Sequence, residues 1–541
     1  MKSLIIILIF IACFHTSYSQ PNLQWSAYFS PGTSFPSNPL LAIDNSKNIY
    51  ASGFSYDSSS NYNVNTVKYN QNGAKQWERT YNSSFNADDR PTSMVIDRNN
   101  NLYILLRVSA NFNVTHTVLL KYDSSGILKW DRTHQSVSNS SLCIDSSGYL
   151  YVLGGIGELP TIIKYDTSGT FQWQQNYNSQ SLSVFGRKIV ADRFGNVYII
   201  ASSLQSGSFT NYDILVFKFS STGLQHWTSI YNGQYNLSDR ANDIVLDAEG
   251  NVYVTGYLTS VFTGKITKRV GVVIKYNQFG GFIWSQQFYF SSFPLDEGVS
   301  FTISPDGYIY IVANTILDNS YKTIAILKYS VNGGLIWNRF YDSNINSKND
   351  MAASIALDSS GNVYATGTKI RTTPTIIDIV VIKYDSTGIL KWSKTFDNAS
   401  AGSDYAYKII SDEFSTYVLG VSTFGGSNKY VLLKYSQVTS INNLNEIKTS
   451  YALYQNYPNP FNPKTIIQYE IPLIERHHNV TVQLIVYDAL GKEVSTLINE
   501  RQNAGYYIVE FDGSKFTSGV YSYRLVVNGN IINTRRMVLL K

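Results

Sequence analysis

The sequence predicts an all-β chain, an eight-bladed β-propeller followed by a small C-terminal Ig-like β-sandwich. Three observations carry this. A Lys–aromatic pair recurs eight times, at Lys68-Tyr69, Lys121-Tyr122, Lys164-Tyr165, Lys218-Phe219, Lys275-Tyr276, Lys328-Tyr329, Lys383-Tyr384 and Lys434-Tyr435. In the first seven copies a Trp follows nine residues after the Lys, at Trp77, Trp130, Trp173, Trp227, Trp284, Trp337 and Trp392; Trp25 precedes the first pair, so all 8 tryptophans occupy one repeat position. Finally, the repeats open on a fourth strand, Leu23-Gln24-Trp25, and close on a third, Tyr430 to Tyr435. The N-terminal strand can therefore complete the last blade and remove the edges that an open array would leave.

Taken in chain order, residues 1–19 read as a secretory signal peptide. Lys2 is its positive end, Leu4 to Phe14 its apolar stretch, and Ser17-Tyr18-Ser19 the small-residue cleavage site. The stretch is too short to span a bilayer. Cys13 would suit a lipoprotein signal, but Phe10 fits that signal poorly, so simple secretion is expected. Of the 2 cysteines only Cys143 would then remain, in the apolar run Leu142-Cys143-Ile144, as a buried thiol without a disulfide.

Residues 20–436 hold the repeats, about fifty residues each by the Trp spacing. Between each Trp and the next Lys–aromatic pair lies an apolar run, then Asp-x-x-Gly-Asn-Val-Tyr or a relative. Clear copies start at Asp192, Asp247 and Asp358, and looser ones at Asp44, Asp97, Asp145, Ser304 and Asp412. Each unit reads as four strands; in the seventh these are Ser354–Leu357, Asn362–Thr366, Ile377–Tyr384 and Ile389–Thr395. In Asp123-Ser-Ser-Gly126, Asp166-Thr-Ser-Gly169 and Asp385-Ser-Thr-Gly388, Asp opens a turn and Gly accepts its left-handed position. Other copies replace the Asp by Asn70, Ser220, Asn277 or Ser330 and keep the Gly, an exchange that a turn tolerates and a catalytic or metal site does not.

Residues 437–450 are polar and patternless, a linker, and residues 451–541 alternate as a small β-sandwich. This tail contains Leu453-Tyr-Gln-Asn-Tyr-Pro-Asn-Pro-Phe-Asn-Pro-Lys-Thr465, Val486-Tyr-Asp-Ala-Leu-Gly-Lys-Glu-Val494, Ala504-Gly505, Ser518-Gly-Val-Tyr-Ser-Tyr-Arg-Leu525 and a closing Met537 to Lys541. On these residues it resembles the type A C-terminal sorting domain of the type IX secretion system of Bacteroidetes, with the polar insert Glu475–Asn479 as the one departure. The resemblance implies export to the surface or medium of a Gram-negative bacterium, with the secretion machinery as partner. It makes Asn456, Pro458, Asn459, Pro460, Phe461, Pro463, Gly491, Gly519 and Tyr521 the signal. Residues 23–436 separately resemble the SBBP-type propeller repeats of bacterial exported proteins, a family that implies no one activity.

Composition and motifs exclude several functions. Aromatics at 14% and charged residues at 15% mark a globular chain, and the formal charge of +5 is scattered, against a nucleic-acid binder. His116, His134 and His226 are isolated, and His477-His478 lie in a polar loop; no zinc pattern or serine-hydrolase elbow occurs. Ser304-Pro-Asp-Gly307 lacks the remainder of a sialidase Asp box and reads as a turn.

One constellation remains. Eight residues before the second-signature Asp (or Ser304), five units carry Asp89, Asp239, Asp296, Asp350 and Asp404, where the others have Pro36, Val137 and Val184. The plain reading is a strand-start residue bonding local amides. The sharper one is an acidic rim at one mouth of the central channel, with calcium as the candidate cation and no other cofactor. The function expected is a monomeric surface or secreted binding module for an unidentified extracellular ligand. The alternative is a propeller enzyme of lyase or lactonase type, with a carboxylate or metal site at the channel mouth.

Overall fold

The computed structural model describes residues 21–436 and 451–540, apart from 34–38, 57–60, 86, 111–113, 136–140, 157–158, 178–182, 206–207, 209–210, 262–266, 292–294, 318–320, 342–348, 373–374, 399–401, 413, 425–426, 457, 472–479 and 503–504. The expected signal peptide and linker lie outside the described residues. The chain divides into two compact units, Met1–Thr439 and Ser440–Lys541.

The first unit is built of eight four-stranded antiparallel sheets. Their innermost strands are Leu40–Ile43, Asp88–Ile96, Ser141–Ile144, Val184–Ala191, Arg240–Leu246, Glu297–Ile303, Met351–Leu357 and Asp404–Ser411, which begin blades 1 to 8. Each inner strand touches the next, and the eighth touches the first, so the ring is closed. The middle strands are buried on both faces, and for this reason they read as continuous apolar runs such as Val380–Ile382. Blade 8 is completed from the other end of the chain, by Leu23–Thr33 paired antiparallel to Ser427–Ser436, with Ser26 opposite Leu433 and Phe29 opposite Tyr430.

The repeat signature is a clamp between neighbouring blades. The indole N–H of Trp77 and the ammonium of Lys68 both donate to one carbonyl, Ser124 O, in the third-to-fourth-strand turn of the next blade, at 3.2 and 2.9 Å. Trp173 and Lys164 do the same on Ser221 O, and Trp337 and Lys328 on Ser386 O. Across the closing seam, Trp25 and Lys434 meet on Gln71 O from opposite ends of the chain. The turn glycine is required twice over. At Gly280 φ is +83°, and an added Cβ would lie 2.5 Å from the Trp227 ring. Blade 8 has no turn between its last two strands, so Trp392 has no such carbonyl to meet, and its buried N–H lacks a hydrogen-bond partner among the described residues, as does that of Trp130.

The second signature is equally local. Asp97 Oδ1 caps its turn by accepting from the Asn99 and Asn101 amides, while Oδ2 accepts from the Asn101 side chain and the Tyr103 hydroxyl. The Lys121 ammonium lies 5.3 Å over the Tyr103 ring. The Asp123 and Asp385 carboxylates cap the other hairpin turn as expected. Cys143 is buried and free, and burial pushes its thiol pKa up.

The second unit packs two sheets around a core of tail residues. One contains Ala452–Leu453, Lys464–Ile471 and Gly505–Asp512; the other is ordered Glu493–Gln502, Val480–Tyr487, Gly519–Val527 and Asn530–Leu539.

Candidate binding site in the central channel

The inner strands enclose a cavity of about 940 Å³ to which all eight blades contribute. Six of these strands carry a β-bulge at the same place, where the register slips across Thr92, Arg187, Asn242, Val299, Ala353 and Tyr407. A bulge puts two residues opposite one and re-aims a side chain. All six bulge residues line the cavity.

The lining is cationic. Arg90, Arg107, Arg187, Lys188, Arg240 and Lys408 face a single carboxylate, Asp243. That carboxylate is already engaged: it pairs with Lys188 and accepts from the Phe301 amide at 3.3 Å. Burial, reinforced by the neighbouring Arg240, holds Arg187 down to about 10, and its Nε donates to Ser202 Oγ at 2.9 Å. Lys408 is also lowered, first by the protein enclosing it and then by Lys188, although its side chain stays open to water within the channel.

The five aspartates of the expected rim stand at the start of their inner strands, and all are buried, none more than 2% exposed. Asp89 accepts from the Ser83 amide and hydroxyl at 2.6 and 2.7 Å. Asp239 accepts from the Gly233 and Thr259 amides, Asp350 from the Ile370 amide at 2.9 Å, and Asp404 from the Asn398 amide at 3.2 Å. Asp296 bonds the Thr315 hydroxyl, while its Oδ2 has no partner among the described residues. These carboxylates serve local amides and hydroxyls and present no negative ring to solvent. Of the three other units, Val184 is buried too, and Pro36 and Val137 lie outside the described residues. Asp378, Asp397 and Asp404 bring one oxygen each within 4.8 Å of one another, the single such convergence among the described residues.

Burial raises Asp239, Asp296 and Asp404 to about 6 each, from an ordinary 3.8. The folded protein thus holds these protons more tightly than the unfolded chain. The stability they contribute is complete below pH 3.8 and is lost as pH rises through 6. At about 1.4 kcal/mol per pK unit, one such group is worth up to roughly 3 kcal/mol. Asp296→Asn is expected to match the wild type in melting temperature near pH 4 and to exceed it at neutral pH. A constant difference across that range would show that Asp296 does not titrate there.

The cationic residues are absent from the sequence-based expectation, although several of them lie at a fixed offset from the repeat position that the aspartates occupy. Three positions beyond each aspartate, and beyond Val184, is the bulge residue; one further lie Lys188, Asp243 and Lys408.

In the tail, the separated pieces of the expected signal form one structure. The Phe461 amide donates to Val538 O and its carbonyl accepts from Leu540, both at 2.9 Å, so the Asn-Pro-Phe-Asn-Pro segment is laced to the last strand. Phe461 is buried among tail residues. Asn459 accepts from the Val538 amide, and Asn456 donates to Pro458 O and Thr465 Oγ1. Pro460 and Pro463 follow cis peptide bonds, Gly491 takes the left-handed place in the Asp488 turn, and Tyr521, after Gly519, donates to Thr517 O.

Residues 455–539 match the family described as the secretion system C-terminal sorting domain. The chain carries the export signal of the type IX system, which delivers proteins to the cell surface or extracellular space in Bacteroidetes. No match is found among curated proteins. Among solved structures, the chain is similar to the WD40 domain of SCAP from fission yeast, at 10% identity over 78% of this chain and 99% of that one, TM-score 0.42. The propeller domain of the Trilobed protease from Pyrococcus furiosus matches at 8% identity over 65% and 96%, TM-score 0.39. A polysaccharide lyase described as a PL25 ulvan lyase matches at 10% over 63% and 91%, TM-score 0.42. Likeness at this level carries nothing about activity.

Proposed function

We propose that this exported protein is a binding module of the cell surface or surrounding medium, with the central channel as the seat of its ligand. The observation that carries the reading is the shared bulge of six inner strands, which brings dissimilar side chains (Thr, Arg, Asn, Val, Ala, Tyr) to one cavity on an otherwise repetitive scaffold. Dissimilar residues on a rigid frame are where recognition resides. The test is a glycan array probed with the mature chain and with two plugged variants, Thr92→Trp and Ala353→Trp, each confirmed as folded by its melting curve. Plugging is expected to lower array binding by roughly tenfold or more, as loss of central contacts does at other sites. Ile127→Ser, on an exposed hairpin turn, is expected to leave it unchanged. Undiminished binding by both folded plugs would exclude the channel.

A further inference from the structure

We propose that the channel takes an acidic oligosaccharide, one bearing carboxylate or sulfate groups, and that Arg187 and Arg240 are its principal anion contacts. This rests on the channel being the ligand seat. The charge there is not a sample of the average surface: the whole chain has 43 Lys and Arg against 38 Asp and Glu, whereas the cavity has six cations against one carboxylate. Nor is the excess neutralised within the protein. Asp243 is taken by Lys188, and Arg90 is paired with Asp88 at 3.3 Å. Glu297 is held by Arg269 at 3.1 Å and by the Asn242 amide at 2.7 Å. Among the described residues, Arg107, Arg187, Arg240 and Lys408 have no carboxylate within salt-bridge distance.

The cations also oppose one another. Arg90 and Arg107 are directly opposite across their strand pair, an arrangement that destabilises a sheet. Arg187 feels Arg240 more strongly than Glu297, and Lys408 feels Lys188 more strongly than Asp243. An anion seated between them would relieve this repulsion. Low-dielectric walls focus the field of such a cleft on an incoming anion, and guanidinium groups meet carboxylate or sulfate oxygens in pairs.

Three features favour a saccharide over an acidic peptide. The lining interleaves hydroxyls and amides (Thr92, Ser141, Ser300, Asn242 and Asn314) with the cations, and Tyr405 and Tyr407 offer aromatic faces. A volume of about 940 Å³ suits a few sugar rings. A peptide would bind an inner strand by adding to its free edge, but the bulges interrupt that row of backbone groups in six of the eight blades.

The experiment is isothermal titration of the mature chain and of an Arg187→Gln/Arg240→Gln double variant. The probes are tetragalacturonate, a sulfated carrageenan tetrasaccharide, neutral maltotetraose and a hexaglutamate peptide, each at low and high salt. At least one acidic sugar is expected to bind the wild type, to weaken with salt, and to bind the double variant roughly tenfold less tightly or worse. Maltotetraose is expected not to bind. The double variant should melt close to the wild type, since the mutual repulsion it removes offsets the Arg187–Ser202 hydrogen bond it loses. Failure of both acidic sugars to bind, or equal binding to the double variant, overturns the proposal; binding of hexaglutamate as tightly as the better sugar overturns its saccharide part. The plugged Thr92→Trp chain separates the two levels. If the plug abolishes glycan binding while the arginine substitutions do not, the channel stands and its anion selectivity falls; if neither matters, both fall.

Discussion

A chain lacking residues 21–33 is expected to lose the cooperative fold of its propeller, not merely one strand. These residues supply the outer strand of blade 8, paired along Ser427–Ser436. Without them the buried Phe29 ring, stacked on Tyr430 with centroids 5.1 Å apart, is gone, as is the Trp25 ring that covers Gly73 in blade 1. Removing a buried Phe or Trp costs about 3–5 kcal/mol. Phe29 is buried and Trp25 half-buried, so together they account for a large share of the net stability of an ordinary domain. Gln71 O loses its Trp donor, and Tyr430–Tyr435 becomes an open edge between two blades. Denaturant titration should show a lower midpoint and a broader transition, with association at raised concentration. Unchanged melting would mean that blade 8 holds without its N-terminal strand.

Removal of residues 451–541 is expected to leave the propeller folded and to abolish its delivery. The tail's core is composed of tail residues alone, and the propeller's hydrophobic clusters lie between neighbouring blades with no tail residue among them, so the propeller should keep its cooperative melting. Export should fail, because the sorting domain is the address read by the secretion machinery. The truncated chain should accumulate in the periplasm of a Bacteroidetes host while the full chain reaches the surface or medium. A subtler version is Phe461→Ala. Phe461 is 2% exposed, and its backbone ties the Asn-Pro-Phe-Asn-Pro segment to the last strand. At about 3–5 kcal/mol its loss should unfold a sandwich of this size, and delivery with it. Surface delivery of the truncated chain would refute the sorting role.

Much of this molecule was legible in its sequence, and the reason is periodicity. A blade that contacts only its neighbours must solve the same contact each time, so the Lys, the Trp and the turn Gly recur at fixed spacing. The sequence showed that these residues belong together; it did not show that Lys68 and Trp77 meet on one backbone carbonyl of the next blade, Ser124 O. Ring closure was legible because the repeats start and stop out of phase, and the sorting tail because its motifs are specific. The channel was not. An Asp shortly before an apolar run reads the same whether its carboxylate faces solvent or bonds an amide of the preceding loop, as Asp89 does with Ser83. Only the tertiary structure decides that the aspartates turn inward, and that a one-residue bulge three positions later aims Arg187 and its counterparts at the axis. Local sequence fixes turns and strand runs, because hydrogen-bond geometry there depends on a few adjacent residues. The charge of the channel depends on which of two alternating faces each inner strand shows to seven others, and a bulge reverses that choice without changing the pattern along the chain.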